Sequence, residues 1–129
     1  MSVMRTVRDF DTFLLDVDGT LVDSTDAHAR AWAETLAAHG LRYAVVQLES
    51  IVDFKFRRGA PNRDYDDARR ADKRAYAAFY HAMRERGVLL PPSHNEVMFL
   101  STAHGEDDVA FTAEAADASL RALRERRII

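Results

Sequence analysis

The chain has 129 residues, 47% of them hydrophobic, a formal net charge of −3 and a pI near 5.9; this leaves room for one ordinary domain or two partial ones and gives no bias towards nucleic acid or acidic membranes. Cysteine is absent, which removes disulfides, thiolate catalysis and cysteine metal sites. The opening MSVMRTVRDF lacks the apolar region and cleavage site of a signal peptide, and no apolar run approaches the roughly 18 residues of a membrane span, so the expectation is a cytoplasmic protein without nucleic-acid or membrane partners.

Phe13–Val17 is a short apolar run that closes on Asp16 and reads as a buried strand. Asp23 or Ser24 can cap a helix running to His39, with an inner stripe of Ala29, Trp32, Ala33, Leu36 and Ala37, and Gly40 just past its end. Tyr43–Leu48 and Ile51–Phe56 are rich in β-branched and aromatic residues and read as strands. RRGAPNRDYDD, residues 57–67, has the composition of a loop. From about Asp64 to Arg86 the spacing predicts one helix, with Ala71, Ala75, Tyr76, Phe79, Tyr80 and Met83 on one face, stopped by Gly87. Val88–Leu90 and Val97–Leu100 read as short strands around Pro91-Pro92. The last helix runs from about Glu106 to Arg126, with acids at its positive end and arginines at its negative end. This order predicts an α/β (α+β) fold. A small mixed or antiparallel sheet carries helices on one face, and a strand–helix unit precedes it. The organisation divides at residues 1–42 and 43–129.

The stretch LLDVDGTLVDS, residues 14–24, holds the first chemistry. Asp16 and Asp18 lie two apart, on one side of a strand and at its carboxyl end. Gly19 lets the backbone approach a phosphate, and Thr20 offers a hydroxyl for substrate binding. One carboxylate can attack phosphorus while the other protonates the leaving oxygen. Both would repel a phosphate dianion, so Mg²⁺ and a cationic side chain are required.

This stretch and the following DAHARAWAETLAAHGL resemble the first motif and opening helix of the haloacid dehalogenase superfamily of phosphatases. The resemblance implies Asp16 as nucleophile and Asp18 as general acid/base, with both at the metal. It covers residues 10–41. That family further needs a Ser or Thr after a second strand, then a lysine, then an acidic metal motif. Ser101 or Thr102 and the run Gly105–Asp108 can be aligned to the first and last of these, but only two residues separate them. Lys73 comes too early. They are read as a strand end and a helix start.

From about Val45 to Leu123 the sequence resembles the C-terminal small domain of class III pyridoxal-phosphate aminotransferases, above all the glutamate-1-semialdehyde 2,1-aminomutases. The marks are the aromatic pair Phe79-Tyr80, RGVLLPPS, Glu96, FLS and AHGEDD. The resemblance implies a domain that closes over substrate, with Glu96 near its entrance in a substrate-orienting or gating role. It also implies pyridoxal phosphate as the family's cofactor, but the attachment lysine lies in a preceding large domain. The chain's only lysines are Lys55 and Lys73. Lys55 alternates with apolar residues in a strand and is expected in solvent. His81, His94 and His104 have no metal-ligand spacing and are expected at the surface or at helix ends. The expectation is a fragment or fusion that is not catalytic alone, with a large-domain partner chain or self-association. The alternatives are a weak Mg²⁺-dependent phosphatase and the small-domain subunit of a split aminotransferase.

Overall fold

The computed structural model describes residues 25–40, 44–48, 51–56, 64–101 and 103–129. The elements in chain order are α1 (Thr25–Ala38), β1 (Ala44–Leu48), β2 (Ile51–Lys55), α2 (Tyr65–Arg69), α3 (Lys73–Glu85), β3 (Met98–Phe99) and α4 (Glu106–Glu125). The expected strand Phe13–Val17 and the cap at Asp23 or Ser24 lie outside the described residues.

The three strands form one antiparallel sheet in the order β1-β2-β3. Only two residues separate Leu48 from its partner Ile51, which fixes the hairpin register and sets Val45 opposite Phe54. β3 joins through Ile51 with Phe99 and Val52 with Met98. Alternation then sends Val52 and Phe54 to one face, where with Phe56 they meet Trp32 and Leu36 of α1, Tyr76, Phe79 and Met83 of α3, and Leu120 and Leu123 of α4. Trp32 stacks on Phe54 with ring centroids 5.0 Å apart, and Phe79 meets Phe54 edge-on at 5.7 Å. Helix α1 therefore shares one hydrophobic core with everything that follows it. The expected small antiparallel sheet is what the chain builds, with α1, α3 and α4 on the face of Val52 and Phe54 and α2 beside the opposite one.

Several boundaries differ from the sequence reading, each for a local reason. The single helix expected over residues 64–86 is two helices. Asp72 is extended and its carboxylate accepts from the amides of Arg74 and Ala75 (both 3.0 Å). Its own amide donates to the carbonyl of Phe56 (2.7 Å), tying the start of α3 to the end of β2. Val88–Leu90 pairs with no described strand, and Val97–Leu100 contributes only Met98–Phe99 to the ladder. Gly40 and Gly87 have φ of +62° and +84° and end α1 and α3 in the left-handed region that glycine adopts without a Cβ clash. At α4, Asp108 reaches back to the amide of Gly105 (2.9 Å) and closes the first turn.

Candidate functional site

A groove of about 930 Å³ opens between α1, the segment 87–100 and the first turns of α4. Its floor is Trp32, 5% exposed, and its rim carries Leu89 and Phe99, 78% and 70% exposed, with Phe111 beside them. Its polar lining is His28, Asn95, Glu96, His104, Asp108 and Thr112. Glu96 is exposed on the lining, and Asp108 is occupied by its cap. His28, buried on α1, donates from Nε2 to the carbonyl of His104 (3.4 Å) and so ties α1 to the far wall. Among the described residues the groove is lined by no lysine or arginine. It can hold apolar bodies; among the described residues it has no fixed cation for a phosphate or carboxylate.

Behind the segment sits a second polar cluster. Lys55 was expected in solvent, but it is only 3% exposed. Its ammonium pairs with Asp53 (2.7 Å) and donates to the carbonyl of His94 (2.5 Å), which folds the 91–96 turn over it. The correction has a physical cause: a polar position on an alternating strand is open only if no later segment crosses that face, and here one does. Tyr76 donates its hydroxyl to the carbonyl of Pro91 (2.6 Å), and burial, then Asp53 and Glu96, push its ionisation up to about 12. Burial, then the cations Lys73 and Lys55, lower the His94 imidazole below its ordinary 6.5. Its Nε2 is buried without a hydrogen-bond partner, so His94 is not the surface residue expected. His81 and His104 are exposed as expected, and His104 Nδ1 accepts from the amide of Ser101 (3.0 Å) in a local turn.

Asp16, Asp18 and Thr20 lie outside the described residues. Among the described residues no three His, Asp or Glu side chains are grouped to hold a metal ion, and Asp107 and Lys73 are exposed and far apart in sequence. Glu96 lies exposed on the groove lining. Pyridoxal phosphate does not fit the residues present. Lys55 is held by Asp53 and the His94 carbonyl, Lys73 stands exposed at the start of α3, and neither lines the groove. Sequence reasoning missed the part α1 plays here; the apolar spacing of Trp32 and Leu36 was its only signal. It also missed the bridge from His39, at the end of α1, to Asp117 on α4 (2.7 Å). No helix among the described residues is long and apolar enough to cross a membrane.

Comparisons with known proteins give two families. A model of haloacid dehalogenase-like hydrolases matches residues 10–129. Glutamate-1-semialdehyde 2,1-aminomutase of Methanosarcina acetivorans is 37% identical over 100 residues, 78% of this chain and 23% of that protein. The same enzyme of Thermus thermophilus is 41% identical over 86 residues, 67% of this chain and 20% of that protein. Among solved structures, the PLP internal aldimine form of the Sphingopyxis FumI protein covers 78% of this chain and 21% of its own, at 27% identity and a TM-score of 0.54. The chain thus spans about a fifth to a quarter of the relatives it matches. A match of 100 residues in a chain of 129 takes in residues 30–100 wherever it begins, so the aminomutase-like stretch includes Trp32 and Leu36 of α1.

Proposed function

The chain belongs to the haloacid dehalogenase-like hydrolase family, and we propose that its larger part serves as an aminomutase-type small domain, without catalysis of its own, that closes over a substrate held by a separate large-domain chain. One observation carries this reading: the chain's two lysines are both kept from the groove, one by a buried ion pair and one by its place on the outer surface. A small domain needs neither for chemistry. It needs an apolar wall that excludes water and a polar group at the entrance, and the groove offers Trp32, Leu89 and Phe99 for the first and Glu96 for the second.

The test is covalent capture. The pure chain is mixed with pyridoxal phosphate, reduced with borohydride and mapped by peptide. Sparse labelling of exposed Lys73 is expected. Stoichiometric labelling of Lys55 or Lys73 would overturn the reading. An adjacent reading frame encoding the cofactor lysine region would identify the partner chain as the other part of a split aminotransferase.

A second reading rests on the family match, which spans Asp16 and Asp18. In it the chain is a Mg²⁺-dependent phosphatase with Asp16 as nucleophile and Asp18 as acid/base. Losing one preorganised electrostatic group costs about 2.7–4 kcal/mol of barrier, so activity on simple phosphomonoesters is expected at background. Turnover that requires Mg²⁺ and vanishes in Asp16→Asn would replace the first reading with this one.

A further inference from the structure

We propose that the edge of β1 left open among the described residues pairs with the same edge of a second copy, joining two sheets into one continuous sheet. β1 ends the strand order, and no described strand lies on its other side. Its sequence, AVVQL, has no charge, proline or glycine, the features that usually blunt an edge. Val46 and Leu48 stand 41% and 67% exposed on it.

The register follows from the hairpin. Leu48 and Ile51 pair across a two-residue connection, and the pair beside such a turn exchanges backbone hydrogen bonds, after which bonded and non-bonded pairs alternate. Leu48, Val46 and Ala44 therefore turn their N–H and C=O towards β2, and Val45 and Gln47 turn theirs outward. Two copies can bond only where outward residues meet outward residues. Antiparallel pairing centred on Val46 sets Val45 against Gln47 and Gln47 against Val45, and uses the whole strand. A slip of one residue opposes outward groups to inward ones and makes no bonds. A slip of two leaves one bonded pair.

Self-pairing fits better than an unrelated strand for two reasons. The pattern is its own complement about Val46. The strand has no charge that would repel a copy or select a charged partner, and in the row behind it Asp53 and Lys55 neutralise each other at 2.7 Å. The centred register also keeps α1, α3 and α4 of both copies on one side. A contact one strand wide is small, so the dimer is weak and reversible.

Sedimentation of the full chain over a hundredfold concentration range tests this. A reversible rise towards twice the chain mass is expected. Val46→Lys alone and Val46→Glu alone, with unchanged far-ultraviolet dichroism, should each weaken the dimer at least tenfold, and their equimolar mixture should restore it. In the wild-type chain the amides of Val45 and Gln47 should exchange more slowly as concentration rises, while that of Val46 stays constant. A monomer throughout, a dimer indifferent to both variants, or a mixture that fails to restore it would overturn the proposal. If either variant misfolds, the wild-type exchange pattern decides: no concentration dependence at Val45 and Gln47 overturns it.

Discussion

Helix α1 and the segment from Gly87 to Leu100 form opposite walls of one groove, yet they are held differently. α1 drives Trp32 and Leu36 into the aromatic core against Phe54 and Phe79. The opposite segment buries Leu90 in the same core and packs Val88, Met98 and Leu100 against it, but it leaves Leu89 and Phe99 in solvent and is also pinned through its backbone, by Tyr76 at Pro91 and by Lys55 at His94. One wall is fixed by buried area, which gives way only when the fold does. The other adds to a smaller buried share a few directional bonds at the 91–96 turn, and their loss should loosen that turn before the core gives way. Recognition surfaces are drawn from the second kind.

Cutting into the sealed wall should cost most. Trp32→Ala removes a buried indole stacked on Phe54 and should lose about 3–5 kcal/mol, a large part of the ~5–15 kcal/mol that a small domain has. The urea midpoint followed by far-ultraviolet dichroism measures it, and a loss below about 1 kcal/mol would remove α1 from the core. Lys55→Ala attacks the pinned wall at its strongest point. It leaves Asp53 half-buried without its cation and should cost about 3 kcal/mol. Replacing both with apolar residues, Asp53→Leu with Lys55→Met, should recover most of that loss; a double variant as unstable as the single one would show that the His94 bond, not the pair, is what matters.

The bridge at the end of α1 gives a pH signature. The hydrogen bond from His39, then that from Arg121, holds the Asp117 carboxyl below its ordinary value of 3.8, against an opposing push from burial. A depressed carboxylate stabilises the fold above its unfolded value and loses that contribution as pH falls through the folded one. The stability gap between wild type and Asp117→Asn should therefore narrow as the solution is acidified below about pH 3.8. A gap that widens on acidification would contradict the assignment. The smallest effect belongs to the rim: Leu89→Ser touches a side chain already in solvent and should move stability by no more than about 0.5 kcal/mol.

Much of this contrast was legible in the sequence. The stripe Ala75, Tyr76, Phe79 and Met83 and the alternation of Val52, Phe54 and Phe56 each name their inward residues, because period alone decides which side chains share a face. The break before Asp72 was hidden, since Ala71 continues the stripe and an aspartate can sit within a helix or cap one. The burial of Lys55 was hidden for a stronger reason. Its acceptor, the His94 carbonyl, lies 39 residues away, and no local pattern announces which segment crosses the open face of a strand. Glu96 was singled out from resemblance alone; it lies on the groove lining, and its role belongs to the proposal. The part of the groove made by α1 was not foreseen, because that helix was read with the residues before it.

The central structural claim is that α1, which the sequence groups with the residues before it, is built into one core with the strands and helices that follow. The chain's one tryptophan is Trp32, on that helix. Urea unfolding of the wild-type chain should be followed at once by Trp32 fluorescence, which reports α1, and by far-ultraviolet dichroism, to which α3 and α4 also contribute. Coincident transitions with one midpoint are expected for a single cooperative body. A fluorescence transition complete at lower urea than the dichroism would show α1 leaving a core that survives without it, and would contradict the account.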